Sequence, residues 1–114
     1  MVQETVVHPF DMSRIERGAD GIARYRDRPH TVIEMLRASV DRVPNGEAVV
    51  EISGARFTYE RLWDRAARVA GGLHAHGVSP GDRVAIRLTN GLDWVVAFFG
   101  SLMAGAVFLI FKEW

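Results

Sequence analysis

The sequence predicts an α/β fold, in which βαβ units build a partly parallel sheet flanked by helices. Short β-branched runs alternate with longer segments whose apolar residues recur at helical intervals. The connections are short, and residues 84–111 have the order strand, helix, strand, which defines a βαβ unit with a right-handed crossover. The 114 residues suffice for about one domain of this class.

Composition narrows the function classes before any motif is considered. Fourteen basic side chains balance 14 acidic ones, so net charge favours neither nucleic acid nor an anionic membrane as a partner. The fractions of hydrophobic (48%) and charged (25%) residues are ordinary for a globular protein. Without cysteine there is no disulfide, thiolate zinc site or cysteine nucleophile. The first residues carry no secretory signal, and we expect a cytoplasmic protein.

Two regions differ in pattern, and we predict an irregular N-terminal arm at residues 1–30 and a partial α/β subdomain at residues 31–114. The arm has no sustained helical or strand period, and prolines and glycines interrupt it. Its arginines are interleaved with acidic residues, whereas an arm that binds nucleic acid would lack those acids. A solvated arm is therefore the better interpretation.

The first predicted elements of the subdomain are a helix and two short strands. Thr31 and Glu34 have the spacing of a capping box. An apolar stripe follows and ends before Pro44; it consists of Ile33, Leu36, Val40 and Val43. Residues 48–52 are rich in β-branched side chains and predict a strand, with a short partner strand at residues 56–58.

A second helix is predicted from Tyr59, capped by Thr58 and ended by Gly77 as a left-handed C′ residue. One face of this helix is apolar and contains Leu62, Ala66, Val69 and Leu73. Residues 79–82 (Ser-Pro-Gly-Asp) have the pattern of a type II turn, since proline presets the first central position and glycine accepts positive φ at the second.

The last predicted elements are a strand over residues 84–88, a third helix to about Ala104, and a strand over residues 106–111. Asn90, with Asp93 three residues later, repeats the capping pattern at the start of this helix. Gly105 ends the helix, and we expect Gly100 to permit its close approach to the sheet. The final run is continuously apolar, as in a strand covered on both faces.

A membrane span is the main alternative for this region. Residues 94–111 contain no charged side chain and are long enough to suggest a transmembrane helix. Gly100 and Gly105 interrupt the run, and the Asn90 and Asp93 pattern is typical of a helix in a water-soluble protein. The second half is also aromatic and β-branched in character. The crossover helix of a soluble fold is the better interpretation.

Residue by residue, the sequence offers no catalytic, cofactor-binding or metal-binding constellation. His74 and His76 point about 200° apart on one helix and cannot hold one metal ion together, and His8 and His30 lie in the arm. No phosphate-binding glycine motif follows a strand. Residues 89–91 do join a strand to a helix, but Asp93 in the first turn would repel an anion, so capping is the better interpretation. No serine lies in a G-x-S-x-G context.

Several motifs in order nevertheless resemble those of one enzyme family. Residues 57–62 (FTYERL) resemble L-T-Y-x-E-L, residues 77–85 (GVSPGDRVA) resemble G-V-x-x-G-D-R-V-A, and residues 101–107 (SLMAGAV) resemble L-x-A-G-A. Asn90 to Trp94 is similar to the helix start between the last two. Together they resemble the opening of adenylate-forming, AMP-binding enzymes, and residues 27–31 with the preceding arm are most similar to bacterial fatty-acyl-CoA ligases.

The resemblance implies the start of the large N-terminal domain of an acyl-CoA synthetase. Such ligases activate a fatty acid with ATP and Mg²⁺ to an acyl-adenylate and transfer the acyl group to CoA. The resemblance covers roughly the first fifth of such an enzyme. In the family, the phosphate loop and the catalytic lysine lie further along the chain. No catalytic residue is therefore carried over, and we expect an inactive structural part that binds no cofactor alone and has the rest of the enzyme as its partner.

Residues 108–114 depart from the family pattern, which continues with a proline and a polar turn. A truncated reading frame, an altered tail and an engineered fragment all remain open as explanations. A stand-alone interaction module is the alternative function, because the apolar strand at residues 106–111 would offer an unpaired edge for self-association.

Overall fold

The computed structural model describes residues 9–52 and 54–111. The chain divides into two compact units, Met1–His30 and Thr31–Trp114. Predictions that concern the first residues, His8 and the end of the tail at residues 112–114 lie outside the described residues.

A short antiparallel hairpin lies in the arm that the sequence predicts to be irregular. Strand β1 (Ile15–Arg17) pairs with β2 (Ala23–Tyr25). The Asp20 carboxylate fixes the turn, because it accepts from the Ile22 N–H at 3.0 Å and forms an ion pair with Arg24 at 2.6 Å. The bond from Arg24, followed by the Ile22 N–H, holds the pKa of Asp20 below its ordinary value. Strands of three residues are too short to show a period in the sequence.

The second unit is an α/β arrangement, as the sequence predicts. Its helices are α1 (Val32–Arg42), α2 (Tyr59–Ala75) and α3 (Leu92–Met103). Its strands are β3 (Glu47–Val50), β4 (Arg56–Thr58), β5 (Arg83–Ile86) and β6 (Val107–Ile110). Strands β3 and β4 pair antiparallel, whereas β5 and β6 pair parallel across the α3 crossover. The predicted βαβ unit is therefore present, together with a separate hairpin.

The predicted helix N-caps of α1 and α2 are confirmed. The Thr31 hydroxyl oxygen accepts from the Glu34 N–H at 3.0 Å, and that of Thr58 accepts from the Arg61 N–H at 3.2 Å. Each bond satisfies one of the backbone donors that a helix leaves unpaired at its start.

Helices α2 and α3 both end in a glycine with positive φ. Gly77 has a φ of 89°, and the Val78 N–H donates to the Leu73 carbonyl at 3.0 Å. Gly105 has a φ of 77°, and the residue after it likewise donates to the Ser101 carbonyl at 3.0 Å. This is the Schellman arrangement, which satisfies carbonyls in the last turn. It confirms both helix ends predicted from glycine.

The predicted turn at residues 79–82 connects α2 to the parallel sheet. Gly81 has a φ of 89°, and the Asp82 N–H donates to the Ser79 carbonyl at 3.0 Å. The turn also reaches the other strand, because the Gly81 N–H donates to the Gly105 carbonyl at 2.9 Å. The start of β5 is thereby held beside the start of β6.

The core lies where α1, α2 and α3 meet. Leu36, Val40 and Leu62 form a buried cluster there, and partly buried side chains pack against them from α2, α3 and β3; these include Val49, Trp63, Val95, Val96, Phe99 and Met103. The membrane alternative for residues 94–111 is not supported, since this stretch divides into α3 and β6. No helix in the described ranges is long and apolar enough to cross a membrane.

Gly100 approaches another helix, whereas the sequence led us to expect an approach to the sheet. A Cβ atom at this position would lie 2.6 Å from the Val69 Cβ and 3.0 Å from the Ala66 carbonyl oxygen, both in α2. The close approach is therefore a contact between α2 and α3. The expectation was wrong because a helical pattern identifies a buried face but not its neighbour.

The N-terminus of α3 is capped by a distant side chain, so the predicted cap by Asn90 is wrong. The N-cap is Gly91, which makes no side-chain cap bond. The Glu51 carboxylate, just after β3, instead accepts from the Leu92 N–H at 2.7 Å. A Cβ atom on Gly91 would lie 3.0 Å from that carboxylate oxygen, so the glycine makes room for it.

We expect Gly100→Ala to destabilise the fold by about 1–3 kcal/mol, because the methyl group would force α2 and α3 apart. The matched control is Gly71→Ala in α2, where an added Cβ meets nothing within 4 Å. Alanine there should stabilise by about 0.5–1 kcal/mol through its higher helix propensity. Urea unfolding of both variants measures the difference. Equal stabilisation by the two substitutions would contradict the close contact.

We expect Glu51→Ala to lower the free energy of unfolding by about 0.5–2 kcal/mol, as for the loss of other N-caps. Glu51→Gln keeps an acceptor oxygen but loses the charge at the helix N-terminus, so its loss should be smaller. Glu47→Gln is the control, since Glu47 makes an exposed ion pair with Arg56 worth about 0–1 kcal/mol. Thermal unfolding checks the order, and an Ala variant no less stable than the control would exclude the cap.

Candidate functional site

A crevice lies outside the carboxyl ends of β5 and β6, where ligands of parallel α/β folds usually bind. It has a volume of about 490 Å³ and is lined by Arg87, Leu88, Thr89, Asn90, Trp94, Ile110 and Phe111. We call it the strand-end crevice. Its polar residues come from the loop between β5 and α3, and its apolar ones include the end of β6.

The Trp94 ring in this crevice is fixed by aromatic neighbours. It stacks on Phe98 with ring centroids 5.5 Å apart and meets the edge of Phe108 at 5.7 Å. Phe98 and Phe108 also meet edge to face at 5.0 Å. Such offset and edge contacts are the favoured geometries of aromatic pairs. Trp94 is therefore part of the packing of α3 on β6 as well as of the crevice wall.

An anion at the start of α3 would meet two carboxylates. Glu51 already accepts from the Leu92 N–H, and Asp93 lies in the first turn of the helix. Helix N-termini bind phosphate through free N–H groups and the helix dipole, and here a side chain of the same chain takes that role. Sequence reasoning missed Glu51, because it lies 41 residues before its partner and no local pattern links them.

A second concavity lies between α1, β3, α2 and α3. It has a volume of about 530 Å³, and its walls include Leu36, Leu62 and Phe99. Its polar lining residues are Ser39 and Tyr59, and the Ser39 hydroxyl donates to the Met35 carbonyl within α1. No carboxylate, imidazole or amine lines it among the described residues. It offers apolar contact but no acid–base or nucleophilic chemistry.

The histidines of α2 have structural partners. His74 Nε2 lies 3.2 Å from the Ala104 carbonyl oxygen, and His76 Nδ1 lies 2.7 Å from that of Gly72. The two rings thus bind different carbonyls. Across residues 9–52 and 54–111, no group of three or more His, Asp or Glu residues could hold a metal ion.

Ser101 is the buried polar residue of α3, with 1% of its surface exposed. Its hydroxyl donates to the Ala97 carbonyl at 2.8 Å, one turn back along the helix. The hydroxyl is thus satisfied within its own helix, which is a common way for a helix to bury a serine.

Comparison with known proteins identifies the family. Residues 36–112 match the family model described as AMP-binding enzyme. A salicyl-AMP ligase / salicyl-S-ArCP synthetase of Mycobacterium tuberculosis is 38% identical over 98 residues, which cover 78% of this chain and 17% of that protein. A mitochondrial medium-chain acyl-CoA ligase of Danio rerio is 32% identical over 76% of this chain and 14% of its own length.

Solved structures of related proteins agree with this match. The N-terminal domain of FACL13 from Mycobacterium tuberculosis has a TM-score of 0.69 and 33% identity, over 74% of this chain and 22% of that one. A fatty acyl CoA synthetase of the same organism has a TM-score of 0.66 and 34% identity, over 70% of this chain and 16% of that one.

The chain spans a small part of each relative, between 2% and 17% of the length of the first curated proteins that it matches. The match nevertheless includes most of the second unit and the whole βαβ unit. The family model covers more than half of the chain, so the chain belongs to the family of AMP-binding enzymes.

Proposed function

We propose that this chain is the N-terminal part of the large domain of an ATP-dependent fatty-acyl-CoA ligase and supports the rest of that domain structurally. The observation that carries the proposal is the similarity of 70% or more of the chain to the fatty acyl CoA synthetase and to the FACL13 N-terminal domain. Other relatives are named as a salicyl-AMP ligase or as a nonribosomal peptide synthetase. The choice of a fatty acid as the substrate is therefore the more specific part of the proposal. The motifs of the N-terminal arm also support it.

The described residues do not fit the nucleotide and metal of the proposed reaction. The start of α3 is occupied by the Glu51 carboxylate, and no cluster of metal ligands occurs in the described ranges. We therefore assign no step with ATP, Mg²⁺ or CoA to these residues. In the proposed enzyme those molecules are bound by other parts of the protein, which are the partner of this chain.

The proposed contribution is a surface on which further layers of the domain pack. Side chains of Val107 and Leu109 remain 49% and 39% exposed on one face of the parallel pair. Parallel sheets are normally covered on both faces. Together with the paired residues Arg83 and Ala85 of β5, they form what we call the outer face. In the proposed enzyme this face is covered.

We expect the 114-residue chain alone to give no fatty-acid-dependent ATP–pyrophosphate exchange. A chimera should be active, however, if residues 31–111 replace the corresponding segment of the fatty acyl CoA synthetase of Mycobacterium tuberculosis. The same chimera with Gly100→Trp should lose activity by more than about tenfold, because overpacking would separate α2 from α3. The matched Gly71→Ala chimera is the control.

Exchange by the isolated chain would contradict the supporting role. An inactive chimera that is folded by circular dichroism would contradict the proposed family function, and equal activity of the Gly100→Trp chimera would show that the packing of this segment does not matter.

A stand-alone interaction module is the second candidate, favoured by the exposed apolar residues at the end of β6. Ile110 and Phe111 are 60% and 58% exposed, and within the described residues β6 pairs on one edge only. An unpaired apolar edge promotes association through strand pairing.

This alternative predicts a dimer at high micromolar concentration, measured by light scattering. Leu109→Lys should shift the protein to the monomer, since charged residues at an edge strand oppose pairing. Val32→Lys on α1 is the control, because Val32 is similarly exposed at 42% and lies on another element. A monomer at all concentrations argues against the module.

A further inference from the structure

Two arginines of α2 share one aromatic ring. Phe57 in β4 is nearly buried, with 6% of its surface exposed. The Arg61 guanidinium carbon lies 4.4 Å from its ring centroid, and that of Arg65 lies 5.9 Å away. Both distances are in the range of cation–π attraction. The ring therefore holds two exposed positive charges in defined positions at the surface of the second unit.

These two charges lack acidic partners in the described part of the chain. Like charges four residues apart on a helix repel each other, and the Glu60 and Asp64 carboxylates on the same helix form no ion pair with Arg61 or Arg65. Elsewhere in the second unit, Arg37 pairs with Asp41 at 3.1 Å and Arg56 with Glu47 at 2.6 Å. Within the described residues, neither the Arg61 guanidinium nor that of Arg65 forms an ion pair or a hydrogen bond.

A third exposed arginine continues the row. Arg68 lies one turn beyond Arg65, so residues 61, 65 and 68 follow one line along the helix. We call these three residues the arginine stripe. At 1.5 Å per residue the row is about 10 Å long. It lies beside the apolar face that contains Leu62 and Ala66, both of which are buried.

We propose that the arginine stripe is a docking surface for an acidic helical segment of a partner protein. Carboxylates spaced at i, i+4 and i+7 on such a segment would match the three cations, and guanidinium groups bind carboxylates through two parallel hydrogen bonds. A single small oxyanion would use Arg61 and Arg65 but leave Arg68 without a role. Glu60 and Asp64 lie on the same helix beside the arginine stripe. They would repel an acidic segment that lay beside the stripe instead of along it.

The test uses the full 114-residue chain and a fluorescent helical peptide with glutamates at i, i+4 and i+7, followed by anisotropy at low salt. We expect the Arg61→Gln, Arg65→Gln, Arg68→Gln variant to bind about tenfold or more weakly, and binding to weaken as salt rises. The matched control removes the same charge at three exposed arginines elsewhere, with Arg26→Gln, Arg28→Gln and Arg42→Gln. It should lower the affinity clearly less than the stripe variant does, since these arginines do not belong to the row that the spaced glutamates match.

Three further measurements distinguish recognition of an acidic helical segment from attraction by net charge and from binding of a small oxyanion. A triple Arg→Lys variant of the stripe keeps the charge and the fold but loses the planar fork, so we expect several-fold weaker binding. A peptide with the same glutamates in scrambled positions should bind more weakly than the spaced one. Inorganic phosphate should displace the peptide no better than chloride at equal ionic strength.

The proposal is overturned if the control variant loses as much affinity as the stripe variant, because the interaction would then depend on net charge alone. Unchanged binding by the lysine variant or by the scrambled peptide would likewise show that the interaction depends on net charge alone. Preferential displacement by phosphate would indicate a small-oxyanion site in place of a protein-docking surface. Circular dichroism of each variant confirms that the helices are retained.

Discussion

The close contact between α2 and α3 is the constraint on which the second unit depends. Helix α3 is the crossover that sets β5 and β6 parallel, so its position on α2 also positions the parallel pair. Small residues make the contact possible: Gly100 has no side chain to separate the helices, and Ala104 is 2% exposed. Ser101 between them turns its hydroxyl back to its own helix, which avoids an unsatisfied polar group in the contact.

A hydrogen bond between residues distant in the sequence joins the β3–β4 hairpin to the start of α3. Glu51 follows β3, and its carboxylate meets the N-terminus of α3, where unpaired N–H groups and the helix dipole favour a negative charge. In many α/β proteins a phosphate of the ligand lies at such a position. Here an internal anion fills it, so the same feature that stabilises α3 also removes the most obvious nucleotide-binding position among the described residues.

Local sequence signals predicted most elements of the fold, but they did not predict the contacts between residues that are distant in the sequence. Thr31, Thr58 and Gly77 were identified correctly because each acts on backbone groups within a few residues of itself. The same logic assigned the cap of α3 to Asn90. This assignment was wrong, because the Glu51 carboxylate, just after β3, accepts from the Leu92 N–H. For the candidate site, the sequence pointed to the loop at residues 89–91 as the start of a helix. It did not indicate that the Glu51 carboxylate binds there, because only the fold brings the two together.

The expectation that β6 is covered on both faces was half right, and the difference bears on the two candidate functions. Phe108 packs under Trp94 and Phe98 on the inner side, whereas Val107 and Leu109 on the outer face are exposed. Strand pairing at an edge satisfies N–H and C=O groups in the plane of the sheet, so a second copy joined edge to edge would leave these side chains in water. Covering them requires a helix or a second sheet that packs across the face, as in layered α/β domains. The exposed face therefore favours a supporting part of a larger domain over a module that associates through its edge.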